Sequence, residues 1–136
     1  MAEVRLGSRS NRLVLDVQGP VDQYADAVLV TLLAPGLSAS LVVHAFDDYL
    51  KILVGFVGGL ERSFRGWVGE RTYESFEGDL RIVATHLGGV VRLAVRLTSN
   101  RERVPWTAQA DVLLEPGEEL RHAARDVADL IRPDQD

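Results

Sequence analysis

Residues 80–98, LRIVATHLGGVVRLAVRLT, carry the clearest structural signal in the chain. Apolar and polar residues alternate on both sides of Gly88-Gly89, and a period of two is typical of strands that bury one face. Paired glycines between two such runs favour a tight hairpin turn, because glycine readily adopts the positive φ angles that the turn requires. The stretch therefore predicts an antiparallel hairpin in which Leu87 lies opposite Val90.

This turn also fixes which side chains are neighbours across the hairpin. Counting back from it places Thr85 opposite Arg92 and Arg81 opposite Arg96. Like charges directly opposite each other on a sheet repel, so two opposed arginines are unfavourable unless an anion lies nearby. The hairpin thus predicts a basic patch on its wetter face.

A third strand follows a polar loop at residues 106–114, again with alternating apolar and polar positions. If Leu97 lies opposite Trp106, then Arg92 lies opposite Asp111. That register would form a cross-strand ion pair worth about 0.2–1 kcal/mol when exposed. Together the three strands predict a meander with one dry face and one wetter face.

The first half of the chain contains four more candidate strands. Alternation predicts a short edge strand at 3–6 and half-buried strands at 12–17 and 37–46. Residues 27–33 are almost continuously apolar and rich in β-branched side chains, which favours a central strand buried on both faces. The Pro-Gly pair at 35–36 predicts a turn that joins the last two strands into a hairpin.

Helical spacing of apolar residues predicts two helices, at about 47–65 and 116–132. Asp47 is a suitable N-terminal residue for the first helix, and Pro116 suits the first turn of the second. The order of strands and helices predicts an α+β fold, with one domain spanning 1–136. We expect a single twisted, mainly antiparallel sheet of about six strands with both helices packed on one face.

Composition limits the classes of function. The 136 residues carry a net charge of −5 and no cysteine, which excludes disulfides, thiolate chemistry and cysteine-bound zinc. A net negative charge disfavours general binding to nucleic acid, because phosphate contacts need a basic footprint. The N-terminus lacks a basic head followed by an apolar core, and no apolar run is long enough for a bilayer. We therefore expect a cytoplasmic protein without a membrane or nucleic-acid partner and without a cofactor.

Residues 64–80, FRGWVGERTYESFEGDL, interleave aromatic, arginine and acidic side chains between the first helix and the meander. Tryptophan, tyrosine and arginine are enriched at the energetic centres of protein interfaces. The simpler interpretation of Trp67, and of Trp106 further on, is packing in the core or at its rim. The candidate partner-binding residues are Trp67, Glu70, Arg71, Tyr73, Arg81, Arg92 and Arg96.

The same segment holds the carboxylates that the sequence offers as candidates for catalysis. Glu70, Glu74, Glu77 and Asp79 are close in sequence and could in principle serve as acid–base or metal-binding groups. The simpler interpretation is a solvated strand and turn, with Arg65, Arg71 and Arg81 as partners. His86 falls on the apolar side of its predicted strand, and no nucleophile is identified beside it, which favours a buried, hydrogen-bonded histidine.

The segment and the strands after it resemble an uncharacterised family of short actinobacterial proteins with an RGW…GERxxxSxEGDL signature. The matching residues are Arg65, Gly66, Trp67, Gly69, Glu70, Arg71, Ser75, Glu77, Gly78, Asp79, Leu80, His86 and Trp106. The chain departs from the family pattern at Phe64, Tyr73, Phe76 and Leu87. Because Leu87 replaces a common aspartate beside His86, the departure weakens a catalytic role for this pair. The resemblance implies a fold and no activity, and its tryptophan element is similar to that of some bacterial toxin-immunity proteins.

These observations predict a non-enzymatic protein-interaction or regulatory domain with a protein partner. The alternative is a carrier of a small apolar ligand, with a pocket between sheet and helices. An enzyme is a third hypothesis and requires the carboxylates of residues 70–79 to meet His86 in one cleft. A homodimer through a strand edge or the wetter sheet face is compatible with all three hypotheses.

Overall fold

The computed structural model describes residues 2–20 and 25–131, which form eight strands and two helices in the order ββββα–ββββα. The first half comprises β1 (Ala2–Gly7), β2 (Arg12–Pro20), β3 (Ala25–Ala34), β4 (Leu37–Phe46) and α1 (Asp47–Arg62). The second half comprises β5 (Glu70–Glu74), β6 (Leu80–His86), β7 (Val91–Ser99), β8 (Trp106–Leu114) and α2 (Glu118–Asp129). None of the described helices is both long and apolar enough to cross a membrane.

The α+β class is confirmed, but the expected single sheet of about six strands is wrong. The strands form two antiparallel sheets of four, ordered β1-β2-β3-β4 and β5-β6-β7-β8. Each sheet is a meander in which every strand pairs with its neighbour in sequence. The α1 helix separates β4 from β5, so the hydrogen-bonded ladder ends at β4 and starts again with a new edge strand.

Both helices lie on the inner side of the two sheets, rather than on one face of a single sheet. Each sheet has an inner face of buried side chains, and the inner residues of both sheets join buried residues of both helices in one hydrophobic core. The helices contact each other, α1 also contacts β4 and β5, and α2 contacts β1. No described helix covers the outer face of either sheet, where the side chains of the central strands are mostly half-exposed.

The register of the second sheet follows the prediction at one turn and departs from it at the next. Leu87 N–H donates to the Val90 carbonyl at 2.8 Å, as the Gly-Gly turn predicts. The second hairpin pairs Ser99, not Leu97, with Trp106. This shift of two residues places Arg92 opposite Leu113 and Asp111 opposite Ala94, so the predicted Arg92–Asp111 register is wrong.

Both helices are shorter than predicted. The α1 helix ends at Arg62 and continues as turns, and α2 begins at Glu118 rather than at 116. The Glu115 carboxylate accepts hydrogen bonds from the Gly117 and Glu118 N–H groups at 2.7 and 3.0 Å, which satisfies free donors at the start of α2. Residue 132, the predicted end of this helix, lies outside the described residues.

Candidate interaction surfaces

The second sheet divides the predicted partner-binding residues between its two faces. Cross-strand pairing puts Arg71 and Tyr73 in rows with buried residues of β6 and β7, so both belong to the inner face. Trp67 precedes the sheet and packs against the same core. The remaining four residues lie on the outer face: Glu70, Arg81, Arg92 and Arg96. The predicted partner-binding residues therefore form two separate sets on opposite faces, and not one surface.

Arg71 ties the edge strand β5 to the C-terminal end of α1. Its guanidinium donates to the Gly59 carbonyl at 3.2 Å and to Ser63 Oγ at 3.0 Å. The Gly59 carbonyl, which also accepts from the Ser63 N–H, lies in the last turn of α1, where a cation interacts favourably with the helix dipole. The same guanidinium lies 4.7 Å from the centre of the Trp67 ring. Arg71 is therefore engaged within the fold.

Trp67 is half-buried between Arg71 and His86. The two aromatic rings meet edge to face with their centres 5.1 Å apart. His86 Nε2 lies 2.7 Å from the Phe64 carbonyl, and the Gly88 N–H lies 3.1 Å from Nδ1. Since a carbonyl only accepts and a backbone N–H only donates, these contacts match the tautomer with a proton on Nε2 and Nδ1 as the acceptor. The expected hydrogen-bonded histidine is confirmed, although its ring is partly exposed.

Tyr73 is a structural residue of the sheet–helix contact. It is 5% exposed, its hydroxyl donates to the Tyr49 carbonyl at 3.3 Å, and its ring packs against Phe56 of α1. Burial, with smaller contributions from Asp79 and Tyr49, raises the pKa of the Tyr73 hydroxyl to about 12. This side chain links β5 to α1 rather than to solvent.

The outer face of the second sheet carries a concentration of positive charge that we call the arginine face, defined by Arg81, Arg92 and Arg96. Arg81 on β6 lies directly opposite Arg96 on β7, as predicted, and Arg92 shares the outer side of β7. Glu74 is opposite Arg81 on the other side, with 3.8 Å between Arg81 Nε and Glu74 Oε1. No ion pair joins Arg92 or Arg96 to any residue that the structure describes. The arginine face is thus only partly neutralised.

Apolar side chains lie among these arginines. Leu113 on β8 is opposite Arg92 and is 51% exposed. Between the two arginines of β7 lies Ala94, which pairs with Val83 of β6. Carboxylates occupy only the flanking strands of this face, as Glu70 and Glu74 on β5 and Asp111 on β8.

A network around the turn at residues 75–79 was not predicted from the sequence. Asp79, only 4% exposed, accepts a hydrogen bond of 2.6 Å from Ser75 Oγ, which itself accepts from the Leu80 N–H at 2.9 Å. Arg101 donates to Glu77 at 2.6 Å and lies 3.5 Å from Asp79. The turn is therefore a fixed polar structure in which Asp79 is buried and Arg101 is the cationic partner, so the expected solvated turn paired with Arg65, Arg71 or Arg81 is wrong at this point. Asp79 directly precedes Leu80, the buried first residue of β6. Alternation along the strand does not reveal that Asp79 is buried as well.

Beside this turn lies a cavity of about 390 Å³, open to solvent, that reaches the outer edge of the first sheet. Its walls come from three consecutive residues of β4, from the 75–79 turn and from the β7–β8 connection with Trp106. The lining residues are Ser40, Leu41, Val42, Glu77, Asp79, Thr98, Ser99, Asn100, Arg101, Glu102 and Trp106. No described residue of either helix lines this cavity, so it is not the apolar pocket between sheet and helices that the carrier alternative expects.

The arrangement that the enzyme hypothesis requires is not assembled by the described residues. His86 ends β6 on the inner face, whereas Asp79 directly precedes Leu80 at the other end of this strand, roughly 20 Å away at 3.3 Å per residue. Glu70 is level with Thr85, next to His86, but lies on the outer face. No three described His, Asp or Glu side chains are close enough together to hold a metal ion.

Comparison with known proteins assigns the chain to a family but to no activity. Neither the curated proteins nor the solved structures contain a significant match. A family model described as "Family of unknown function (DUF6228)" matches residues 5–134, which is nearly the whole chain. The predicted membership of an uncharacterised family is thus confirmed, and the protein belongs to the family of unknown function DUF6228.

Proposed function

We propose that this protein is a non-enzymatic interaction domain that binds the acidic surface of a partner protein with its arginine face. The observation that carries the proposal is the direct opposition of Arg81 and Arg96 on a sheet face that no described helix covers. A like-charge pair at opposed positions lowers the stability of a sheet. A bound carboxylate surface would relieve that repulsion.

The charge on this face differs from that of the chain as a whole. The protein carries a net charge of −5, yet the outer sides of β6 and β7 carry Arg81, Arg92 and Arg96 and no carboxylate. An acidic partner would be attracted to the two central strands and repelled by most of the remaining surface. Electrostatic complementarity of this kind favours a defined orientation and a fast encounter.

The neighbours of the arginines also suit a protein interface. Leu113, Val83 and Ala94 supply apolar contact area between the charges. Protein interfaces combine such an apolar centre with arginine anchors, because a guanidinium binds carboxylates in a planar two-pronged geometry. The flanking Glu70 and Glu74 would then define the rim of the contact.

The test is affinity capture from the organism that encodes the chain, with three baits. The first is the wild-type protein and the second carries Arg92→Glu with Arg96→Glu, which reverses the charge of the face. The third carries Lys51→Glu with Arg125→Glu, which makes the same change in net charge on exposed helix positions. We expect a partner that the wild-type and helix-variant baits enrich and that the arginine-face variant loses.

Two outcomes would reject the proposal. One is capture of the same proteins by all three baits, and the other is the lack of any protein enriched by the wild-type bait. A variant at Trp67 and Arg71 is unsuitable here, because these residues hold α1 and β5 together. Thermal unfolding of all three proteins must first show cooperative transitions at similar midpoint temperatures.

A further inference from the structure

The outer edge of the first sheet is an open strand. Among the described strands β4 pairs only with β3, so its other side has no strand partner. The ten residues of β4, LSASLVVHAF, include no lysine, arginine, aspartate, glutamate or proline. Natural sheets usually protect their edges with such residues or with short strands, because unpaired N–H and C=O groups can pair with another chain.

The cavity of about 390 Å³ lies along this edge, and we call the two together the β4 groove. Consecutive residues of a strand point to opposite faces, so a cavity lined by Ser40, Leu41 and Val42 must run beside the backbone of β4. Val42 on the outer face is 42% exposed. The groove therefore offers unpaired backbone groups and an adjoining space large enough for side chains.

The charge of the groove selects the kind of side chain that would enter it. Glu77, Asp79 and Glu102 line the cavity, against the single positive charge of Arg101. Arg101 is engaged mainly with Glu77, at 2.6 Å, and Glu102 has no ion-pair partner among the residues described. Trp106, which is 37% exposed, adds an aromatic wall that can interact with a cation.

We propose that an extended segment of a partner protein adds to β4 as a fifth strand and inserts a lysine or arginine side chain into the cavity. The backbone of the segment would pair with β4, while its basic side chain would contact Glu102, Glu77 and Trp106. Strand addition of this kind takes its affinity from main-chain hydrogen bonds and its specificity from pockets for alternate side chains. The site is separate from the arginine face, so its test does not depend on the function proposed above.

A second copy of this chain fits the groove less well. Two-fold pairing of β4 with itself near Leu41 and Val42 would bring two cavities together, each with more carboxylates than arginines. Like charges brought together at an interface oppose association. The strand itself carries no lysine or arginine to enter the cavity of the other copy.

The experiment uses two synthetic peptides and ¹⁵N-labelled protein. One peptide is acetyl-Thr-Val-Thr-Lys-Thr-Val-Thr-amide, and the other has glutamate in place of the lysine. We expect the lysine peptide to shift the amide signals of residues 38–44 and 98–102 and to bind with a dissociation constant at least about 10-fold lower than that of the glutamate peptide. At saturation, alternate β4 amides should exchange at least about 10-fold more slowly than in the free protein.

A matched pair of variants separates the groove from general attraction to an acidic protein. Glu77→Gln with Glu102→Gln should remove most of the preference for the lysine peptide, because Asp79 alone then balances Arg101. Glu3→Gln with Asp126→Asn removes two exposed carboxylates elsewhere and should leave the preference within about twofold of the wild-type value.

Three results would overturn the proposal. The first is no shift at millimolar peptide, and the second is binding of the lysine peptide without slower exchange in β4, which would indicate surface attraction alone. The third is a dimer by light scattering in which the free-side amides of β4 are already protected, which would show that a second copy occupies the edge.

Discussion

The two sheets have the same topology but differ at the strand that borders α1. In the first sheet this strand is β4, with ten residues and no lysine, arginine, aspartate or glutamate. In the second sheet it is β5, with five residues, of which Glu70, Arg71 and Glu74 are charged. Short, charged strands resist pairing with other chains, whereas long uncharged ones invite it. The comparison indicates that the first sheet is open at its edge, whereas the second is protected there and presents its charged outer face.

The two edge strands are also held in place differently. The β4 strand continues a hairpin whose ten residues all pair with β3. The β5 strand has five paired residues and additional anchors from side chains, namely Arg71, Tyr73 and Ser75. Substitutions that remove the polar groups of these anchors should therefore lower the free energy of unfolding more than comparable substitutions in the first sheet.

The largest expected effect is the alkaline sensitivity of Tyr73. Its pKa is raised from 10.0 to about 12, chiefly by burial, so the unfolded chain ionises at lower pH than the folded one. The stability from the neutral hydroxyl is present below pH 10 and is lost as the pH rises towards 12, by about 1.4 kcal/mol per pH unit. Urea unfolding of wild type and Tyr73→Phe between pH 9 and 12 measures this loss. Parallel stability curves for the two proteins would show that Tyr73 is not buried as described.

A second expected effect concerns the network that precedes β6. Ser75→Ala removes the hydroxyl that bonds both the buried Asp79 carboxylate and the Leu80 N–H. We expect a loss of about 2–3 kcal/mol in the free energy of unfolding, because a bond to a buried charge is lost and a buried N–H is left unpaired. Ser40→Ala, at an exposed serine of the open edge, should cost less than about 1 kcal/mol. Equal losses for both variants would remove the distinction between the two edges.

The smallest expected effect is a gain in stability on the arginine face. Arg96→Gln removes the like-charge opposition to Arg81 and should raise the free energy of unfolding by about 0.2–1 kcal/mol at low salt. The gain should shrink in high salt, because exposed charges are screened. Chemical denaturation at two salt concentrations is the measurement. A loss of stability at both concentrations would mean that Arg96 has a structural role.

The sequence predicted the pairing of neighbouring strands better than the arrangement of the strands into sheets. Two-residue periods and a Gly-Gly turn fixed the β6–β7 register, because such a turn allows one pairing. The longer connection between Ser99 and Trp106 sets no register, and the prediction slipped by two residues there. The bounds and pairing of β5 were not predicted, because Tyr73 is its only buried residue and its five residues lack a visible period.

The candidate site was predictable only in part, for a related reason. Alternation correctly placed Arg81, Arg92 and Arg96 on the wetter face of the meander. Alternation shows which residues of a strand share a face but not what covers that face, so it could not separate one sheet from two. The inward position of Trp67 and Arg71 depends on the path of the chain after α1, which no local pattern encodes.

We have proposed that the arginine face binds a protein partner through its positive charge. The most direct measurement is the dissociation constant of the partner captured by the wild-type protein, determined by calorimetry for the wild type and for both charge-reversal variants. We predict an increase of about 100-fold or more for Arg92→Glu with Arg96→Glu, and less than about threefold for Lys51→Glu with Arg125→Glu. Equal dissociation constants for the wild type and the arginine-face variant would contradict the account.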